Sequence, residues 1–168
     1  KQISKKKIID DEFFSKTTIE DLLNEIIESF KETSSKKLIL NLDKNKKKFE
    51  FQRSPELIYG LRNFIGNAVK FAKSTVEIKI KSNDKDLEVS INDDGPGFPD
   101  DIKEFLGEPY IKSKSNEVAS NAGTGLGTFL GKTLLERKSA RLSFLKDHKL
   151  GGASVNILWK QIDLKSNV

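Results

Sequence analysis

Residues 54–73 read as a helix with two unlike sides, and this constrains the chain more than any other feature. Ser54-Pro55-Glu56 is a helix start: a capping hydroxyl, a proline whose missing N–H costs nothing at the first position, then an acid near the positive end of the dipole. At about 100° per residue, Leu57, Leu61, Phe64, Ile65, Ala68, Val69 and Ala72 fill one broad side. Asn63, Asn67 and Lys70 fall in a narrow arc opposite, where spacings of four and three stack side chains. Any helix has a polar outer face, but Asn is a middling helix former, and two of them in mid-helix are less expected than Lys or Glu. Two amides and an ammonium in register can hold a hydrated cation and neutralise phosphate. Magnesium prefers oxygen ligands and keeps several waters, so one Asn carbonyl oxygen suffices beside phosphates.

A second helix precedes this one. Ile19, Leu22, Leu23, Ile26, Ile27 and Phe30 recur at helical spacing, and Thr17 with Glu20 resembles a capping box at its start. Leu38–Leu42 and Lys48–Gln52 read as strands joined by a polar turn over Asp43–Lys46. Val76, Ile78 and Ile80 alternate with polar residues, as do Leu87, Val89 and Ile91, which predicts two half-buried strands. Residues 98–122 show little periodicity, and a loop that long inside a compact domain is usually functional. A helix is expected over Gly125–Lys138, with Leu126, Phe129, Leu130, Leu134 and Leu135 inward. Arg141–Leu145 and Ala153–Trp159 then form a hairpin around Gly151-Gly152.

Two further segments share the chemistry of the Asn stripe. Asp93-x-Gly95-x-Gly97 follows a strand, where a carboxylate can accept a hydrogen bond from an exocyclic amine such as that of adenine. Gly95 and Gly97 let the backbone turn sharply and approach a ligand, though an ordinary turn would use the same residues. Gly123-Thr124-Gly125-Leu126-Gly127 leads into a helix, and freed backbone amides at a helix N-terminus suit phosphate. A P-loop would need glycine at Leu126, and Gly131-Lys132-Thr133 lies inside the helix. A dinucleotide fingerprint would need Gly or Ala at Thr128 or Leu130, and a strand immediately before Gly123.

The 168 residues suit a single domain. With 36% hydrophobic and 33% charged residues the chain is polar, yet too periodic to be disordered. Its net charge of +5 comes from scattered lysines and short runs, so no nucleic-acid partner is expected. The absence of Cys excludes disulfides and thiolate chemistry, and the single His, His148, excludes a multi-His metal site. No apolar run approaches the roughly 20 residues of a membrane span, and no signal peptide is evident. A first residue of Lys suggests a piece of a longer protein.

Together the three segments resemble the ATP-binding catalytic domain of two-component sensor histidine kinases, within the superfamily that includes gyrase, Hsp90 and mismatch-repair ATPases. The resemblance implies a Bergerat-type α/β two-layer sandwich: a mixed, mostly antiparallel sheet with three helices on one face, over residues 17–160. Residues 1–16 would be the linker and 161–168 a tail. It implies ATP and Mg²⁺ as cofactors, with Asn67 as the metal ligand and Asn63 supporting the metal or phosphates. Lys70 would contact phosphate, Phe71 line the pocket and Asp93 take the adenine amine, with Gly95 and Gly97 giving close approach. Gly123, Thr124, Gly125, Leu126, Gly127 and Thr128 would lie at the phosphates. Gly107-Glu108-Pro109-Tyr110 resembles the kinases' aromatic lid motif, with Tyr110 and Lys112 facing the nucleotide.

Hydrolysing members of the superfamily carry a Glu one helical turn before the metal-binding Asn. Here that position is Asn63, whose amide cannot act as a general base near neutral pH. The resemblance therefore implies transfer to a supplied acceptor: a His on a dimerisation domain upstream of Lys1, then an Asp on a response regulator. His148 lies in the last hairpin turn and is not expected to be that acceptor. The full protein would be a homodimer, and this part a cytoplasmic domain of a membrane-anchored bacterial sensor. Leu61-Arg62-Asn63-Phe64-Ile65-x-Asn67-Ala68-Val69-x-Phe71-Ala72 and Lys132-Thr133-Leu134-Leu135-Glu136-Arg137 are similar to the RegB/PrrB type of redox-responsive kinases. Anti-sigma-factor serine kinases, or a non-catalytic nucleotide-sensing module of the same fold, are the alternatives.

Overall fold

Alternating apolar residues on four adjacent strands build the sheet, and helices cover the side to which those residues point. The structure, a computed structural model, describes residues 15–43, 49–98, 124–146 and 149–166. In chain order the elements are β1 (Lys16–Thr18), α1 (Ile19–Lys31), β2 (Lys37–Leu42), β3 (Glu50–Gln52), α2 (Pro55–Phe71), β4 (Thr75–Ser82) and β5 (Asp86–Asp93). Then come α3 (Thr124–Glu136), β6 (Arg141–Lys146), β7 (Ala153–Lys160) and α4 (Gln161–Ser166). The main sheet has the order β2-β4-β5-β7-β6, with β2 parallel to β4 and every other pair antiparallel. The two-layer, mostly antiparallel arrangement expected from the sequence is the one found.

Register sets which side chains reach the helix layer. Val76, Ile78 and Ile80 on β4 share that face with Val89 and Ile91 on β5 and Val155 and Ile157 on β7, and all are buried. On the other face polar residues bond along the strands: Asn41 to Glu77, Ser90 to Asn156 and Ser154 to Asn92. Glu77 is buried there beside the ammonium groups of Lys79 and Lys149, at 3.4 and 3.5 Å.

Ser54 caps α2 as its sequence suggests, its hydroxyl accepting from the Leu57 N–H at 3.2 Å. Leu57, Leu61, Phe64, Ile65, Ala68 and Val69 are all buried against the sheet. Each large apolar side chain contributes about 1.5–3 kcal/mol, whereas a capping bond contributes about 1 kcal/mol. Burial therefore sets the roll of this helix, and the cap fixes only where it starts.

Four expectations need correction. β2 and β3 are not partners: β2 pairs with β4 across the α2 crossover, and β3 pairs with β1 in a separate two-stranded sheet. Leu38 on β2 is buried beside Val76, while Phe49 and Phe51 pack on each other at 5.7 Å in the neighbourhood of α4. The cap of α1 is Thr18, which accepts from the Asp21 N–H at 3.1 Å; Thr17 lies in β1. Leu130 is 50% exposed, so α3 turns Leu135 rather than Leu130 to the core. Residues 161–166 form α4, which buries Leu164 and sets the Lys165 ammonium over the Phe49 ring, where a tail was expected.

Helices α2 and α3 meet at two glycines. A Cβ on Gly60 would stand 2.7 Å from the Leu135 side chain, and one on Gly131 would stand 2.9 Å from Phe64 and 3.2 Å from Asn63. Leu135 is fully buried and cannot yield. Gly60→Val is expected to cost about 1–3 kcal/mol by overpacking, read as a lower urea midpoint at unchanged m-value; an unchanged midpoint would mean the helices are not in contact there.

Candidate functional site

The polar stripe of α2 does not face open solvent along its whole length. Asn63 and Asn67 are half-buried, and Gly131 brings the α3 backbone against the Asn63 Cβ. Lys70, in the last turn, is exposed, with its ammonium 5.3 Å from the centre of the Phe71 ring, a cation–π distance. The last carbonyls of α2 are held by Lys36, whose ammonium donates to Val69 and to Lys70, the latter at 3.1 Å. Nothing in the sequence had singled out Lys36.

Asp93 closes β5 on the helix-facing side, two residues beyond Ile91, and is only 5% exposed. Its Oδ1 accepts from the Gly95 N–H at 2.9 Å and from the Ala153 N–H at 3.2 Å. The carboxylate is thus held by backbone amides from the bend after β5 and from the start of β7, and it sits in a cradle that only glycines permit. A Cβ on Gly152 would lie 2.3 Å from both the Asp93 carbonyl oxygen and Oδ1. One on Gly95 would lie 2.3 Å from the Phe71 carbonyl oxygen. Gly97 has φ of +81°, where a side chain would be strained. Gly152, read from the sequence only as part of a hairpin turn, is therefore a wall of the site. Its signal was the doubled glycine; its contact with Asp93 is long-range.

The neighbouring Asp94 was also missed. Burial pushes its carboxyl up, but hydrogen bonds from the N–H and hydroxyl of Ser74 and the N–H groups of Thr75 and Lys73 outweigh this and hold it well below the usual carboxylate range. The stability it contributes is present above the ordinary carboxylate pKa of about 4. It is lost only as pH falls toward the group's own lower value.

Of the glycine-rich segment, Thr124, Gly125, Leu126, Gly127 and Thr128 form the opening of α3, where the described structure is the backbone. The first N–H groups of a helix lack intrahelical partners, so this end can receive an anion. Lys132 pairs with Glu136 along the same helix at 3.0 Å, as expected of a residue outside any P-loop. Tyr110, Lys112, Gly123 and His148 lie outside the described residues.

These residues suit an adenine nucleotide and a magnesium ion. A buried carboxylate with glycine-lined approaches can take an exocyclic amine. Among the described residues no group of three acidic or imidazole side chains could cage a metal alone. Asn67 carries an amide oxygen, a donor that suits a cation taking its other ligands from phosphates and water.

A family model described as histidine kinase-, DNA gyrase B-, and HSP90-like ATPase matches residues 52–162. The chain belongs to that family. Within it, this is an ATP-binding catalytic domain of the sensor histidine kinase kind. Sensor histidine kinase RegB of Cereibacter sphaeroides is 40% identical over 122 residues, 64% of this chain and 26% of that protein. Sensor histidine kinase CssS of Bacillus subtilis is 30% identical over 87 residues, 52% of this chain and 18% of that protein. The chain thus spans about a quarter or less of the length of these relatives. The catalytic domain of histidine kinase ThkA, in a nucleotide-free form, superposes with a TM-score of 0.70 at 19% identity, covering 88% of this chain and 97% of that one. The ATP-binding domain of PrrB from Mycobacterium tuberculosis gives 0.63 at 20% identity, covering 86% and 94%.

Gly152→Ala is expected to displace Asp93 and weaken magnesium-ATP binding by about tenfold or more, with the far-UV spectrum unchanged. Calorimetric titration checks this, and wild-type affinity in the variant would contradict the cradle.

Proposed function

We propose that this domain binds magnesium-ATP and passes its γ-phosphoryl group to a histidine on a dimerisation domain of the same protein, for relay to a response regulator. The observation that carries the reading is the buried Asp93 carboxylate, fixed by the Gly95 and Ala153 amides beside the helix that bears Asn63, Asn67 and Lys70. When bound, magnesium-ATP supplies the transferable phosphoryl group and a cation that offsets the charge of its oxygens.

The chain's own residues bind and orient. Asp93 accepts the adenine amine, and Phe71 lines the base. Asn67 offers its amide oxygen to the metal, with Asn63 supporting the same end. Lys70 faces the phosphates, as do the opening amides of α3. Phosphoryl transfer asks mainly for positioning and charge neutralisation, which such a set supplies. A neutral amide at Asn63 leaves water without a general base there, so the acceptor imidazole outcompetes hydrolysis. Residues 1–16 would link to the dimerisation domain, in a homodimeric, membrane-anchored bacterial sensor whose catalytic part lies in the cytoplasm. The 40% identity to RegB supports a catalytic domain of the RegB/PrrB type.

Titration with ATP in the presence and absence of magnesium tests the reading. The wild-type chain is expected to bind with magnesium-dependent affinity, and Asn67→Ala to lose about tenfold or more of it. Magnesium-dependent binding retained in the variant would overturn the ligand assignment, and no binding by the wild type at millimolar nucleotide would overturn the function.

A further inference from the structure

The pairing of β4 with β5 ends at Val76 opposite Asp93. Beyond that pair the backbone pairing goes on with the Asp94 N–H to the Thr75 carbonyl, and it stops short of the residues that join α2 to β4. Asp94 stands at that point. Its Oδ1 accepts from the N–H groups of Lys73, Ser74 and Thr75 at 2.8, 3.0 and 3.1 Å. Its Oδ2 accepts from the Ser74 hydroxyl at 2.7 Å and the Ser74 N–H at 3.2 Å. Its own N–H donates to the Thr75 carbonyl at 3.2 Å. Residues 73 and 74, with the Ala72 cap, are the whole connection between α2 and β4. One side chain therefore grips that connection from the β5 side.

The residues flanking Asp94 show what this grip holds. Asp93, on one side, is the buried carboxylate proposed to read the base. Gly95, on the other, lies so close to the last residue of α2 that a Cβ there would be 2.3 Å from the Phe71 carbonyl oxygen. Lys70 and Phe71 end the same helix. We propose that Asp94 is a positioning residue: it sets the distance between the phosphate-binding helix and the base-binding carboxylate, so that one nucleotide engages both at once. This rests on the reading that Asp93 takes the base and α2 the phosphate end.

A nucleotide gripped at two points gains affinity because its second contact is made at high effective concentration, and that gain depends on spacing. Fragments that use one point only gain nothing from it. The test compares magnesium-ADP, adenosine and magnesium-pyrophosphate as separate ligands, titrated by NMR against the wild-type chain, Asp94→Asn, Asp94→Ala and Ser74→Ala. Asp94→Ala is expected to lose about tenfold in affinity for magnesium-ADP while its affinity for each fragment stays within about twofold. Asp94→Asn, which keeps one acceptor oxygen, should lie between, and Ser74→Ala should lose about twofold to threefold for the intact nucleotide. Should Asp94→Ala fail to fold, the last two variants decide the question. Unchanged magnesium-ADP affinity in all variants would overturn the proposal. So would a parallel loss for all three ligands, which is the mark of general destabilisation. A wild-type chain that binds none of the three would remove the base-and-phosphate reading itself, and the proposal with it.

Discussion

A helix that buries one side and presents amides and an ammonium on the other must be fixed in roll, in height and in distance from its neighbours. In this chain that helix is α2. Six buried side chains from Leu57 to Val69 fix its roll against the sheet, with a burial energy on the order of 10 kcal/mol. No polar contact at its ends competes with that. The roll in turn sets the direction of Asn63 and Asn67. The glycine contacts at Gly60 and Gly131 then let α3 lie directly against the same region, so that the opening turn of α3 shares its side of the domain.

The sheet meets this helix with a carboxylate placed by register. Because Ile91 faces the helices, Asp93 does too, and the end of β5 becomes a buried acceptor instead of another apolar residue. A carboxylate at 5% exposure needs donors. Gly95 and Ala153 supply them, and glycine at 152 makes room for the arrangement. The opposite face of the sheet follows a different rule: its polar residues bond one another across strands, with Glu77 drawn between two lysines.

Much of this was legible in the chain because it is local. Helical spacing separated the two sides of α2, and Ser54-Pro55-Glu56 located its start. Alternation marked β4 and β5, and Gly151-Gly152 marked the last hairpin. Asp93 stood out through the glycines that follow it. The failures have long-range causes. The partner of β2 is β4, which enters after a whole helix, and no local signal distinguishes that from a hairpin with β3. Thr17 and Thr18 are equally good caps in sequence, and only the position of β1 decides between them. Gly152 looked like a turn residue until its contact with Asp93, 59 positions away along the chain, was seen. Asp94 was overshadowed by its neighbour, since its partners lie 19–21 positions earlier.

The central claim is that Asp93 recognises the nucleotide by its exocyclic amine. Competition between ATP and ITP, which carries a carbonyl in place of that amine, tests it directly with the wild-type chain. A buried carboxylate favours a ligand that donates to it over one that turns a carbonyl oxygen toward it, so ITP should bind at least about tenfold more weakly than ATP. Equal affinity for the two nucleotides would contradict the account.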